Sequence, residues 1–252
     1  QSNCAIDVVV QTGATLGDRV WHDLDADGIQ DPGEPGLKGV TVSLYKCGGA
    51  LVTSTTTSAT GMYSFTITSP GSYYVTFLKP SGYLFSPRDQ GGDDGLDSDA
   101  DRTTGRTVCT TVACGENKVM WDAGLYLLST IGGQVWKDGN GNCVYEPQLG
   151  EIQLGGDAKK YTAPKLELRD ANGKLVATQL ACDFRVKCPT SYRFSGLTPG
   201  RYTVVVAASS FAQGGRLFGY TQTCDPDGTL DNQTTLTVAS GESFLQANFG
   251  YK

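Results

Sequence analysis

Catalytic side chains are scarce in this sequence. It has one histidine, His22, and two methionines in 252 residues. A single histidine leaves no His-based triad and no paired-histidine zinc motif. There is no Cys-x-x-Cys, no phosphate-binding loop and no dinucleotide-type glycine pattern. No apolar run approaches the roughly 18 residues of a membrane span. A formal net charge of −6 argues against nucleic-acid binding through a basic surface. No signal-peptide pattern opens the chain, so a mature secreted form or an excised piece is expected.

What is abundant points to strands and turns. The chain holds 33 glycines, many Ser and Thr, 10% aromatics and 18% charged residues. That composition is unlike disordered, collagen-like or coiled-coil chains. Eight cysteines, widely spaced in an acidic, strand-rich chain, read as disulfides formed in an oxidising compartment. Zinc would need clustered ligands, and only Cys109/Cys114 and Cys182/Cys188 are close. Spacing alone leaves the connectivity open. Four cysteines on each side of residue 130 favour pairing within halves. The favoured set is Cys47–Cys109, Cys4–Cys114, Cys182–Cys188 and, by exclusion, Cys143–Cys224.

An internal repeat divides the chain. Leu16-Gly17-Asp18-Arg19-Val20-Trp21-His22-Asp23 matches Ile131-Gly132-Gly133-Gln134-Val135-Trp136-Lys137-Asp138. Tyr63-Ser64-Phe65 matches Tyr192-Arg193-Phe194, Pro70-Gly71-Ser72-Tyr73 matches Pro199-Gly200-Arg201-Tyr202, and Asp122-Ala123-Gly124 matches Asn248-Phe249-Gly250. The offset drifts between landmarks, as it does when loops separate matching strands. Tandem domains over 15–127 and 130–252 follow, behind an N-terminal extension strand at 1–14. Alternation in Val40/Val42/Leu44, Tyr63/Phe65/Ile67 and Tyr73/Val75/Phe77 predicts strands, as do Leu166/Leu168 and Tyr202/Val204/Val206. The fold class expected is all-β: two β-sandwiches. Asn172-Gly173 predicts a two-residue hairpin turn, and a strand is expected to start near Gly105. Trp21, Trp136 and the tyrosines are expected in cores, and His22 at the surface.

Residues 23–34 carry the sharpest chemical signal. Asp23, Asp25, Asp27, Asp31 and Glu34 fall at positions 1, 3, 5, 9 and 12 of a twelve-residue loop, with Gly28 at position 6. This is the EF-hand calcium pattern. Ile29 offers its carbonyl at position 7, and Glu34 can supply two oxygens. Strand-like flanks on both sides argue against an EF-hand helix pair. The second copy has a weaker version: Asp138, Asn140, Asn142, Val144 and Glu146. There Cys143 replaces the glycine and Leu149 stands at position 12, with Glu151 available after a two-residue insertion.

A second acidic cluster comprises Asp89, Asp93, Asp94, Asp97, Asp99 and Asp101. With residues 18–34 it holds twelve of the 26 acidic residues. Charge so concentrated needs a metal or stays mobile. Its thinner counterpart is Cys224-Asp225-Pro226-Asp227-Gly228-Thr229-Leu230-Asp231. A glycosidase carboxylate pair would need a shaped pocket, which nothing in the pattern suggests.

Gly17-Asp18-Arg19-Val20-Trp21, Gly39-Val40-Thr41-Val42, Gly61-Met62-Tyr63-Ser64-Phe65, Pro70-Gly71-Ser72-Tyr73-Tyr74-Val75, Gly82-Tyr83, Asp97-Ser98-Asp99, Trp121-Asp122-Ala123-Gly124-Leu125-Tyr126 and Ala247-Asn248-Phe249-Gly250-Tyr251 together resemble the SdrD B-like domain family of serine-aspartate-repeat surface proteins. The resemblance covers roughly 15–252. It implies Ig-like sandwiches with calcium-rigidified loops, acting as stalks or spacers. It also implies a further Ca²⁺ region in 89–101, drawn from Asp93, Asp94, Asp97, Asp99 and Asp101, most directly Asp97 and Asp99, with Asp122 contributing. The eight cysteines exceed the usual repeat. Related collagen-adhesin B-type domains carry a Lys–Asn isopeptide. Here Val20-Trp21 fills the lysine position and the Tyr73–Phe77 strand ends without the expected Glu, so no isopeptide is expected.

Cys4-Ala5-Ile6-Asp7-Val8-Val9-Val10 precedes the repeat and has strand composition. It suits an added strand of its own domain, the tail of an upstream module, or a strand donated through residues 1–13 to a neighbouring subunit's sheet edge in a filament. Asn232-Gln233-Thr234 is a glycosylation sequon. The expected function is a non-catalytic, extracellular cell-surface or secreted structural module, partnered by neighbouring modules or identical subunits. The opposed class is an adhesin binding carbohydrate or protein through exposed aromatics.

Overall fold

The computed structural model describes residues 13–155, 162–181 and 191–252. The chain divides into two compact units, Gln1–Leu127 and Leu128–Lys252. Each has its own hydrophobic core. Among the described residues there is no α-helix; Pro147–Leu149 and Ala208–Phe211 form short 3-10 turns.

The first unit contains β1 (Ala14–His22), β2 (Thr41–Lys46), β3 (Leu51–Thr56), β4 (Met62–Ile67), β5 (Gly71–Leu78), β6 (Tyr83–Phe85), β7 (Thr110–Val112), β8 (Asn117–Val119) and β9 (Ala123–Leu127). One sheet runs β3-β2-β5-β7. The other runs β4-β1-β9-β6, with β8 also on β1. Val42 and Leu44 from β2, Val75 and Phe77 from β5, and Phe65 and Ile67 from β4 alternate inward and share one core. Side chains of both sheets thus bury each other, which is what makes the unit a sandwich. Each such side chain contributes roughly 1.5–3 kcal/mol by leaving water.

The second unit contains β10 (Ser129–Gly133), β11 (Val135–Lys137), β12 (Lys165–Asp170), β13 (Leu175–Leu180), β14 (Tyr192–Leu197), β15 (Gly200–Val206), β16 (Gln222–Cys224), β17 (Gln233–Val238), β18 (Ser243–Phe244) and β19 (Phe249–Tyr251). Its sheets run β13-β12-β15-β17, β14-β10-β18 and β11-β19-β16.

The repeated landmarks are repeated contacts. β1 pairs antiparallel with β4 as far as Arg19, then runs parallel to β9 from Val20. At that change of partner the Arg19 N–H is caught by Asp122 Oδ1 at 2.8 Å. In the second unit the same step falls between β10 and β11, and Asn248 Oδ1 accepts the Gln134 N–H at 2.9 Å. Tyr63 donates its hydroxyl to the Trp121 carbonyl at 2.6 Å, and Tyr192 to that of Ala247. Trp21 is fully buried, and a Cβ on Gly124 would lie 2.8 Å from its ring. Gly250 stands in the same relation to Trp136, at 3.0 Å. Only glycine leaves room for the indole there.

Three local expectations are corrected. No strand starts near Gly105: the left-handed Gly105 (φ +68°) makes a turn, Arg106 forms one isolated bridge to Thr76, and β7 begins at Thr110. The β12–β13 loop has four residues rather than two. Asp170 Oδ1 accepts from the Asn172 and Lys174 N–H groups at 2.9 and 3.0 Å, and the carboxylate shapes the turn before Gly173. His22 is half-buried rather than superficial, edge-on to Tyr83 at 5.5 Å, and burial lowers its pKa.

Cys47–Cys109 and Cys143–Cys224 are bonded, with Cα separations of 5.9 and 5.1 Å. Cys114 is also disulfide-bonded. Its expected partner Cys4, the Cys182/Cys188 pair and the extension strand's residues 1–12 lie outside the described residues.

Tyr63→Phe removes the hydroxyl that satisfies a buried carbonyl. The expected loss is about 1–3 kcal/mol of stability, read as a lower urea midpoint with an unchanged slope.

Candidate metal sites in the acidic loops

The 23–34 loop is wound around its own carboxylates. Asp23 is fully buried; its Oδ1 accepts the Ala26 N–H at 2.6 Å and its Oδ2 the Gly28 N–H at 2.9 Å. Asp27 Oδ1 accepts the Ile29 N–H at 2.7 Å. Glu34 closes the loop, Oε1 taking the Leu24 N–H at 2.6 Å and Oε2 that of Asp31 at 3.0 Å. The winding needs left-handed backbone at Ala26 (φ +62°) and Gly28 (φ +87°). At Gly28 a Cβ would lie 2.2 Å from the Pro87 carbonyl oxygen. One oxygen from each of Asp23, Asp25 and Asp27 falls in a group spanning under 4.8 Å.

The second acidic loop pairs with the first. Gln30 donates to the Leu96 carbonyl at 2.6 Å, and Ser98 to that of Gly28 at 3.0 Å, around an Ile29–Asp97 bridge. In such a non-hydrogen-bonded pair, the Ile29 carbonyl points away from Asp97's strand. Asp89, Asp97 and Asp99 form a second group with oxygens within 4.8 Å. Asp89, not among the expected ligands, enters because its N–H bonds the Ser98 carbonyl at 3.0 Å. Asp122 lies outside this group and is tied to it by its N–H, which Asp99 Oδ2 accepts at 2.7 Å. Asp93 and Asp94 lie outside this group, near enough for their charges to act on Asp97. Asp101 turns to its own loop, its Oδ1 accepting from Thr103 and Thr104.

The electrostatics of the two loops are unfavourable as they stand. Burial pushes Glu34 up to about 7, and the neighbouring Asp23 and Asp25 charges add to it. Burial raises Asp97 to about 6 and Asp99 to about 8, with neighbouring aspartates adding to both. Burial and then the Asp18 charge raise Asp122 to about 9. Asp97 Oδ1 and Asp122 Oδ2 are buried without a hydrogen-bond donor. Buried carboxylate oxygens that lack donors, beside clustered carboxylates, fit a hard cation such as Ca²⁺.

The second unit repeats the winding with different chemistry. Asp138 Oδ1 accepts the Gly141 N–H at 2.8 Å and Oδ2 that of Cys143 at 3.2 Å, matching Asp23 with Ala26 and Gly28. Glu151 takes the Gly139 and Glu146 N–H groups at 2.9 and 2.8 Å, so it is the counterpart of Glu34, and Leu149 is not. Asn140 and Asn142 both donate side-chain amides to Glu146 Oε2, at 2.8 and 2.7 Å. Val144 donates its N–H to Asn142 Oδ1 at 2.9 Å.

A β-sandwich carrying its carboxylates in two paired loops is the class that the first unit defines. Its residues 14–125 match the family model for the SdrD B-like domain, and this unit is an SdrD B-like domain. Among curated proteins, serine-aspartate repeat-containing protein F of Staphylococcus epidermidis is 32% identical over 99% of this chain. Serine-aspartate repeat-containing protein C of Staphylococcus aureus (strain N315) is 31% identical over 94% of it. The chain spans only 13% and 23% of those two proteins. Among solved structures, the Bacillus anthracis TIE protein aligns at 13% identity and TM-score 0.36, over 96% of this chain and 34% of that one. GBS52, the minor pilin of Streptococcus agalactiae, aligns at 13% identity and TM-score 0.30, over 95% and 96%. Likenesses this distant carry no further argument.

Gly28→Ala forces a strained φ and a clash with the Pro87 carbonyl. The expected cost is about 1–3 kcal/mol, seen as a lower unfolding temperature together with faster proteolysis within 23–34.

Proposed function

We propose that the chain is a non-catalytic extracellular structural module of a prokaryotic surface protein, serving as a stalk, spacer or filament segment. In this reading residues 15–127 and 130–252 are two tandem B-type domains. Ca²⁺ in the first holds together loops that disulfides and backbone pairing leave crowded with negative charge. The observation that carries the reading is the donor-less buried oxygen Asp97 Oδ1, on a member of the Asp89–Asp97–Asp99 group, with a second such oxygen on Asp122, whose N–H bonds Asp99. Asp23, Asp25, Asp27, Asp31, Glu34 and the Ile29 carbonyl would hold one cation. Asp89, Asp97 and Asp99 would hold another, with Asp122 beside them. A bound cation supplies the positive charge that lets these groups stay ionised at neutral pH. Disulfides support an oxidising, extracellular location, and relatives named for serine-aspartate repeats support membership of a larger surface protein. No helix among the described residues is long and apolar enough to cross a membrane.

The sheet edges favour a second reading, association with identical subunits by strand addition. Among the described residues, β3 (Leu-Val-Thr-Ser-Thr-Thr) and β13 (Leu-Val-Ala-Thr-Gln-Leu) hold equivalent edge positions, are largely exposed and carry no charge. Natural edges usually carry a charge or a proline against pairing. Residues 1–13, whose sequence has strand composition, are a candidate donor. The adhesin alternative has less support: Trp21, Trp121 and Trp136 are buried, and Tyr74 is covered by Arg106 at 3.6 Å and by Tyr45 at 5.1 Å.

Thermal unfolding of the disulfide-intact chain tests the reading. A ligand bound only to the native state, at a hundredfold excess over Kd, adds about 2.7 kcal/mol. Millimolar Ca²⁺ is expected to raise Tm relative to chelator, and Glu34→Gln to shrink the rise. Equal Tm values in calcium and chelator contradict the reading.

A further inference from the structure

The loop of the second unit is built like the first but is not furnished for a cation. We infer that the Cys143–Cys224 disulfide does there what the cation is proposed to do in the first unit, and that residues 138–151 take no Ca²⁺. This rests on the cation reading of the first unit.

Structural equivalence places the disulfide at the decisive contact. Cys143 (φ +64°) occupies the left-handed position of Gly28, its N–H on Asp138 Oδ2 as Gly28's is on Asp23 Oδ2. Cys224 occupies the position of Ser86. Each lies across from the glycine beside the buried tryptophan: a Cβ on Gly250 would sit 2.9 Å from Cys224 Cβ, and one on Gly124 would sit 2.9 Å from Ser86 Oγ. The first unit thus has Gly28 and Ser86 where the second has a covalent bond.

The remaining donors have been redirected. The equivalents of Asp25 and Asp27 are the neutral Asn140 and Asn142, whose amides occupy Glu146 Oε2. Asp138 Oδ2 has a further donor, the Thr223 hydroxyl at 2.7 Å. The partner loop is missing as well. The first loop is strapped by the Gln30–Leu96 and Ser98–Gly28 backbone bonds, whereas among the described residues no backbone pairing ties 140–150 to another strand. In place of the Asp97–Asp99 segment stands the short 225–232 turn, where Asp225 Oδ2 is satisfied by the Gln222 amide at 2.7 Å. With its charges thinned and side-chain donors taking Glu146 Oε2 and Asp138 Oδ2, this loop needs a tie to the sheet rather than a counter-charge. The disulfide to β16 is that tie.

Hydrogen exchange on the full chain, followed by peptide, tests this with calcium ion and chelator as the probes. In wild type, Ca²⁺ is expected to slow exchange at least tenfold in 23–34 and 89–101, and to leave 139–150 unchanged. Cys143→Gly with Cys224→Ser installs the first unit's residues. Exchange in 139–150 is expected to rise at least tenfold, and Ca²⁺ should not reverse it. Adding Asn140→Asp and Asn142→Asp in that background should bring a calcium response to the loop. Slowing of 139–150 by Ca²⁺ in wild type overturns the inference. So does rescue of the cysteine-free variant by Ca²⁺, or exchange in 139–150 that the cysteine substitutions leave unchanged. If that variant exchanges globally, the wild-type comparison decides alone. If 23–34 and 89–101 ignore Ca²⁺ while loss of the disulfide still loosens 139–150, the cation reading fails and the covalent tie stands without its counterpart.

Discussion

Like charge held at short range is the constraint on which the first unit depends. Asp23 is fully buried and wrapped by the Ala26 and Gly28 N–H groups, so its position is set by the backbone. Asp25, Asp27 and Glu34 are then carried close to it, and the Ile29–Asp97 bridge brings Asp97, Asp99 and Asp89 alongside. Asp23 and Glu34 cannot move far without undoing backbone hydrogen bonds, whereas Asp25, Asp27 and Asp89 reach solvent and Asp89 pairs with Arg88 at 3.0 Å. For the buried carboxylates, burial and mutual repulsion are relieved in place, by a proton or by a cation. Burial first, and neighbouring carboxylates second, push Glu34, Asp99 and Asp122 above the usual carboxylate range.

The sandwich supplies the rigidity that makes the crowding possible. β1 threads the unit, leaving β4 for β9 at the Arg19–Val20 step, and Asp122 stands at that step. It accepts the Arg19 N–H through one oxygen, and its other oxygen is buried without a donor. The same residue therefore fixes the strand exchange and contributes to the charge problem. In the second unit Asn248 performs the strand-exchange role without the charge. Asp122 against Asn248 is one of several places where the first unit carries a charge and the second does not, as are Asp25 and Asp27 against Asn140 and Asn142. Gly28 and Cys143 mark the same divergence at the loop's tightest point.

Much of this was legible in the sequence because it is local or periodic. Period-two alternation located β2, β4 and β5, and the repeated Gly-x-x-Val-Trp and Tyr-x-Phe landmarks are repeated contacts in space. The 23–34 spacing was readable because it is local: Asp23, Asp27 and Glu34 each bond an N–H within five residues. Glu151 was visible as an alternative to Leu149 because Gly150-Glu151 repeats Gly33-Glu34. The misses are where distant contacts decide. The sequence puts Asp89 in the second acidic cluster but not among the expected ligands; a backbone bond to Ser98, which no spacing rule encodes, brings it to Asp97 and Asp99. Gly105 turns the chain where a strand had been expected: its φ is +68°, and a Cβ there would lie 2.5 Å from both the Phe77 carbonyl oxygen and the Phe85 ring. Asn172-Gly173 follows the Asp170 carboxylate rather than its own two-residue preference. That Asn140 and Asn142 spend their amides on Glu146 also became visible only in three dimensions.

Anomalous scattering from crystals of the full chain grown in calcium tests the central claim most directly. The account predicts difference peaks within coordination distance of the Asp23–Asp25–Asp27 group and the Asp89–Asp97–Asp99 group, and none between Asn140 and Asn142. Carboxylates found in both acidic groups with waters alone between them, at calcium concentrations in the millimolar range, would contradict it.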